Sequence, residues 1–227
     1  MGKMKDILID QLNNQTMSTK NAEFISELTT NLSKPMPYQW RVQSFNKNNT
    51  KCTCVAYIDA RQVMDTLDKY CTYGWVKKYY DIKGSIYCSI GVVMPDGTIL
   101  ARQDVGSEGN FEAEKSAASD AFKRAAVNFG VGRFLYDLEI VDLKAGVSEF
   151  NGKQYPFPAD DKGNKVWDIT EYINNMQGVV NGVHPLQEAL TKLSGMTDKA
   201  KAIEWAKTLP DSVKTHASFR QSFAKQF

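Results

Sequence analysis

The side chains best suited to chemistry lie between Trp75 and Arg102. There Trp75, Tyr79, Tyr80 and Tyr87 are interleaved with Lys77, Lys78, Lys83 and Arg102. Lysine and arginine neutralise phosphates, and aromatic faces stack on bases whatever their sequence. The same composition also describes a half-buried sheet whose aromatics are core and whose lysines are solvated. For each residue alone that plainer reading is the stronger. For the cluster, taken with Arg61, Lys123 and Arg124, nucleic-acid binding stands level with it.

Other chemistries find less support. Cys52, Cys54, Cys71 and Cys88 form no C-x-x-C pair, and His184 and His216 are the only histidines. A structural zinc site needs closely spaced ligand pairs twice over. No metal is therefore expected, and the thiols read as buried and reduced. With no histidine before position 184, a Ser-His or Cys-His couple is absent from the main domain. Gly146 to Gly152-Lys153 is one residue too long for a phosphate-binding loop, and Gln154 stands where its hydroxyl belongs. Gly130-x-Gly132 ends a helix where a dinucleotide site would begin one. Asp104, Glu108, Glu112, Glu114 and Asp120 offer carboxylates for a metal-dependent nuclease. Glu112 and Glu114 are equally explained by the helix dipole, and Asp96 by the turn Pro95-Asp96-Gly97. The chain thus reads as a binding protein needing no cofactor, with a nuclease built on Asp104 and Glu108 as the enzymatic alternative.

The elements that must position the basic residues can be read from periodicity. The 227 residues are 42% hydrophobic and 24% charged, with a formal net charge of +2, which suits a globular chain. No run approaches the roughly 18 apolar residues of a membrane span. The N-terminus lacks a secretory pattern, so a cytoplasmic location is expected. Residues 34–102 hold ten Lys/Arg against five Asp/Glu, and residues 103–150 five against nine. A basic β-rich segment thus precedes an acidic helical one. Residues 1–20 read as a flexible N-terminus, followed by a helix from Asn21 that Pro35 stops. Strands follow around Tyr38–Val42 and Cys52–Ile58, and Asp59 caps a short helix. Trp75–Ile82 and Ser85–Val93 form a hairpin about Lys83-Gly84, and Thr98–Val105 returns. Phe111–Phe129, with Asn110 as cap, is helical. Ala118, Ala121, Phe122, Ala125, Ala126 and Phe129 share one arc, and Lys123 and Arg124 flank it about 100° apart. Residues 145–183, with Gly146, Gly152, Pro156, Pro158 and Gly163, read as a linker with one short packed element from Trp167. Residues 184–227 form a helical C-terminal region with helices at 185–194, 197–208 and 211–225. These helices either pack on the main domain or offer Trp205, Phe219, Phe223 and Phe227 to a replication or recombination partner, and a partner-contact or assembly role is the preferred expectation. The fold class is α+β: an antiparallel β-meander packed against a long helix and shorter helices, with a small helical C-terminal region.

The stretch Asp104-Val105-Gly106 through Asp137-Leu138, with its Asp-Ala-Phe-Lys-Arg-Ala run, resembles the central motif of the single-strand annealing proteins of homologous recombination. Upstream, Tyr57-Ile58-Asp59-Ala60-Arg61 and Tyr73-Gly74-Trp75 extend the likeness over roughly residues 22–140. The superfamily includes the eukaryotic Rad fifty-two type proteins and phage and bacterial relatives. Gly132-Arg133-Phe134-Leu135-Tyr136-Asp137 is more similar to the latter. The resemblance implies an annealing and oligomerisation domain over residues 21–144. It also implies self-assembly into a ring or filament, and single-stranded DNA in a basic groove. Lys123 and Arg124 inherit the family's backbone contacts; Arg61 is one position from the expected basic residue, where Gln62 stands. Val127 stands where some members carry a further arginine, so the groove is either less basic there or compensated by Lys77, Lys78 or Arg133. Arg102 completes the expected DNA-binding set. The function implied is ATP-independent annealing, phage-encoded and acting in a bacterial cytoplasm. A protector of single strands that never pairs them remains the alternative among binding proteins.

Overall fold

Short-range hydrogen bonds set the boundaries of the elements that carry the cationic residues. The computed structural model of the chain describes residues 2–107, 113–179 and 183–227. Its elements are α1 (Gly2–Leu32), β1 (Gln39–Phe45), β2 (Lys51–Tyr57), α2 (Ala60–Tyr70), β3 (Trp75–Ile82), β4 (Ser85–Val93), β5 (Ile99–Val105) and α3 (Ala113–Phe129). After a 3-10 turn at Arg133–Asp137 come β6 (Val141–Phe150), β7 (Lys153–Ala159), α4 (Ile169–Gln177), α5 (Pro185–Ser194), α6 (Lys199–Lys207), α7 (Asp211–Lys214) and α8 (Ala217–Gln226). Two compact units result: residues 1–34 with 59–133, and residues 35–58 with 134–227. The α+β class and the antiparallel meander are as the sequence predicts. Asn110 and Phe111, the expected start of the long helix, lie outside the described residues.

In the first unit, Asp59 and Gln62 form a reciprocal cap. The Asp59 carboxylate accepts from the Gln62 N–H at 2.8 Å, and Gln62 Oε1 accepts from the Asp59 N–H at 2.9 Å. Strands pair in the order β3-β4-β5. Lys83 and Gly84, at φ 54° and 82°, supply the left-handed pair that a two-residue hairpin turn requires. Ala117, Ala121, Ala125 and Ala126 are all but fully buried and let α3 lie close on β4 and β5. Ala117 takes the place predicted for Ala118, which is half-buried; the apolar arc is turned slightly about the helix axis. Phe122 is buried and stacks on Trp75 with ring centroids 6.0 Å apart. Full burial of such a ring contributes roughly 2–3 kcal/mol. Gly106 explains its own identity: a Cβ there would fall on the Ala117 carbonyl.

The second unit and the N-terminal helix of the first depart from expectation. Residues 145–165 form no linker: β6 and β7 make a hairpin that completes a sheet of order β1-β2-β6-β7. The prolines that suggested a linker sit on the edge strand, where a missing N–H leaves no ladder bond unmade. Asn151-Gly152 forms the tight turn, with both residues at positive φ. Similarly, residues 2–32 form one continuous helix in place of a flexible start, since no proline and no glycine after Gly2 interrupts it. Trp40, Cys52, Cys54 and Leu143 are buried on the sheet face that α4 approaches. Trp40 Nε1 there donates to Asn174 Oδ1 at 3.1 Å. Helices α5, α7 and α8 enclose a core of Leu186, Ala189, Leu193, Val213 and Phe219, against which Trp205, Phe223 and Phe227 pack. The aromatics expected to face a partner are therefore consumed by their own core. The helix expected at 211–225 breaks into α7 and α8 at His216.

His184 and His216 cap α5 and α8 through Nδ1, accepting from Leu186 N–H at 3.1 Å and Ser218 N–H at 3.3 Å. Burial lowers the His184 pKa; the charge of His216 adds to this and Glu139 opposes it. The unfolded imidazole, titrating near 6.5, then takes up a proton before the folded one does. Stability is complete above that pH and falls as pH drops through it. The melting midpoint should be lower at pH 5.5 than at pH 7.5, with a shallower dependence in His184→Asn; equal slopes in the two proteins would contradict the assignment. Gly106→Ala should lower the urea unfolding free energy by about 1–3 kcal/mol through overpacking.

Candidate nucleic-acid interface

Side chains alternate about β3, so Trp75, Lys77 and Tyr79 share the face that meets α3, while Val76, Lys78 and Tyr80 share the other. Lys77 Nζ lies 4.7 Å from the Phe122 ring centroid and 3.8 Å from Met64 Sδ. Arg61, exposed in the first turn of α2, precedes Met64 by one helical turn. Lys123, half-buried, follows Phe122 on α3. Lys77 thus sits where α2, β3 and α3 meet, with Arg61 and Lys123 carried on the two helices that border it.

Arg124, Arg102 and Arg133 occupy the other flank of α3. Arg124 Nε is 3.6 Å from Asp104 Oδ1, both side chains being partly exposed. Such a pair is worth about 0–1 kcal/mol, weak enough to exchange for a phosphate. Arg102 Nη1 donates to the Asn128 carbonyl at 3.0 Å, with its guanidinium 5.3 Å from the Phe129 ring. Arg133 Nη2 donates to the Val127 and Asn128 carbonyls at 2.8 and 3.2 Å. Both arginines therefore satisfy open carbonyls at the negative end of α3. This capping role was missed in the sequence, where Arg133 just beyond the helix end was the one local signal and Arg102 reaches the same carbonyls from β5. Lys78 is placed apart, on the opposite sheet face beside Tyr80, whose ring stacks on Tyr87 at 6.3 Å.

Of the candidate carboxylates, Asp104 and Asp120 are engaged and Glu114 is exposed. Asp104 accepts from the Val105 N–H at 2.8 Å and faces Arg124; Asp120 accepts from Ser107 N–H and Oγ at 3.0 and 2.8 Å. Glu108 and Glu112 lie outside the described residues. Among the described residues no group of three His, Cys, Asp or Glu side chains is placed to hold a metal. All four cysteines are free and buried. Burial pushes Cys54 up to about 12 and Cys71 and Cys88 up to about 11, which keeps these thiols protonated. Among the described residues no helix is long and apolar enough to cross a membrane.

The two roles of the arginines can be separated by stability. Arg102→Gln and Arg133→Gln should each lose about 1 kcal/mol through the lost helix cap. Lys78→Gln should stay within about 0.5 kcal/mol of the parent. Urea denaturation midpoints provide the check.

Residues 24–153 match the family described as Rad52/22 family double-strand break repair protein. The chain is 38% identical over 121 residues to the single-stranded DNA-binding protein DdrA of Deinococcus radiodurans, covering 50% of this chain and 57% of that protein. It is 36% identical over 121 residues to DdrA of Deinococcus deserti, covering 50% and 59%. The match therefore spans less than two thirds of either relative. No solved structure gives a significant match.

Proposed function

The chain belongs to the Rad52/22 family of double-strand break repair proteins, and on that premise we propose that it binds single-stranded DNA and anneals complementary strands in homologous recombination. The observation that supports this reading is Lys77, seated against Phe122 of α3 and Met64 of α2, with Arg61 and Lys123 on the same two helices. Arg124 stands on the other flank of the same helix, held by a weak and exchangeable ion pair. Pairing two complementary strands is downhill, so no ATP and no catalytic group is called for. The barriers are repulsion between two polyanions and folding of each strand upon itself. Cations that pin phosphates while leaving base edges exposed lower both. One protomer offers few such contacts, and assembly into a ring or filament multiplies them. The setting proposed is a bacterial cytoplasm, with the protein of bacteriophage origin. A second reading is protection without pairing, since the name that the DdrA relatives carry gives single-stranded DNA binding, which both readings share.

Lys123→Ala with Arg124→Ala should weaken binding of oligo-dT at every salt concentration. The slope of log K against log salt should become shallower by about 1.4 if two phosphate contacts are lost. Fluorescence anisotropy measures both, and an unchanged slope would remove these residues from the interface. With two complementary labelled oligonucleotides and no ATP, an annealing protein speeds pairing whereas a protector slows it.

A further inference from the structure

The four-stranded sheet of the second unit has two unlike faces. One, carrying Trp40, Cys52, Cys54 and Leu143, is buried. Alternation and register place Arg41, Lys51, Lys144 and Lys153 on the other, and the bridge Ala159↔Lys165 extends that face to Lys165. Lys51 pairs directly opposite Lys144, a cross-strand juxtaposition of like charges that costs stability. Among the described residues, two carboxylates stand among these cations: Asp142, which the pairing with Thr53 puts on the same face, and Asp161, 3.4 Å from Lys144 Nζ. Large aromatic rings stand among the charges. Phe150 is 67% exposed, Tyr155 48% and Trp167 84%. Lys165 Nζ lies 4.1 Å from the Trp167 ring centroid and 5.6 Å from that of Phe157. Phe157 itself lies over Gly146, where a Cβ would strike its ring.

We propose that this outer face is a stacking platform for the bases of single-stranded nucleic acid, a second contact surface separate from the cations of α3. The inference rests on the strand-binding function proposed above. Five cations beside exposed rings fit a chain that alternates phosphates with aromatic bases. A second copy of this chain laid symmetrically on the face would set these cations against their own kind, which disfavours that occupant.

Trp167 is its own reporter. Titration of the full-length chain with oligo-dT should quench tryptophan emission, and an abasic oligomer of equal length should not. Trp167→Phe should remove most of the quench while anisotropy still reports binding. The triple variant Phe150→Ala, Tyr155→Ala, Trp167→Ala should lose at least tenfold in affinity for oligo-dT, with abasic affinity and light-scattering mass unchanged. Full quenching in Trp167→Phe, or oligo-dT affinity within twofold in the triple variant, overturns the proposal. A change in mass also overturns it, marking the face as an interface between copies. If the parent binds neither oligomer, the strand-binding function itself fails. Unaltered binding by the Lys123→Ala, Arg124→Ala protein alongside a persistent Trp167 quench would instead reject the α3 contacts and leave the platform standing.

Discussion

Close approach between α3 and its sheet is the constraint on which the first unit depends. Four alanines replace what would ordinarily be large side chains, and Gly106 leaves room for the Ala117 carbonyl. A helix seated so near a sheet has little width to spare, so the residues bordering its apolar arc emerge at the sheet's margins. Lys123 and Arg124 therefore leave the packed surface on opposite flanks without either being buried in it. Their placement is a by-product of small-residue packing. Enlarging the arc would lift the helix and move both charges together.

The cations fall into two populations that composition alone does not separate. Arg102 and Arg133 spend their donors on the final carbonyls of α3. Lys77 rests on the Phe122 ring, its stem covering apolar surface while its head stays at the margin. Arg61 and Arg124 are exposed, and among the described residues Arg124 is held by a partly exposed carboxylate. A basic residue that ties down a helix end is a less mobile partner for phosphate than one whose only engagement is a solvated ion pair. Charge counting along the chain registers all of them alike.

Local signals made the first unit legible. Asp59 with Gln62, Lys83-Gly84, and Pro95-Asp96-Gly97 each act through bonds spanning a few residues, and the structure contains all three devices. The alanine arc was visible too, displaced by one residue. What escaped was set by partners distant in sequence. Pro156 and Pro158 look like breakers until β7 is known to be an edge strand, which depends on β6 pairing with β2 some ninety positions earlier. The aromatics of residues 205–227 look available until α5 covers them. The basic rank of Arg41, Lys51, Lys144, Lys153 and Lys165 is spread over more than a hundred residues and becomes one surface only after the strands have been ordered.

The Arg124–Asp104 pair carries one more implication. The carboxylate acts as a resident anion, occupying the guanidinium whenever no other acceptor is near. Capture of a phosphate then becomes a swap of one anion for another, with little net gain per event. Grips of that kind release as readily as they form. A polymer held by many of them can creep past in small steps and try successive alignments with a complementary strand, where a tighter clamp would freeze the first mismatch it met.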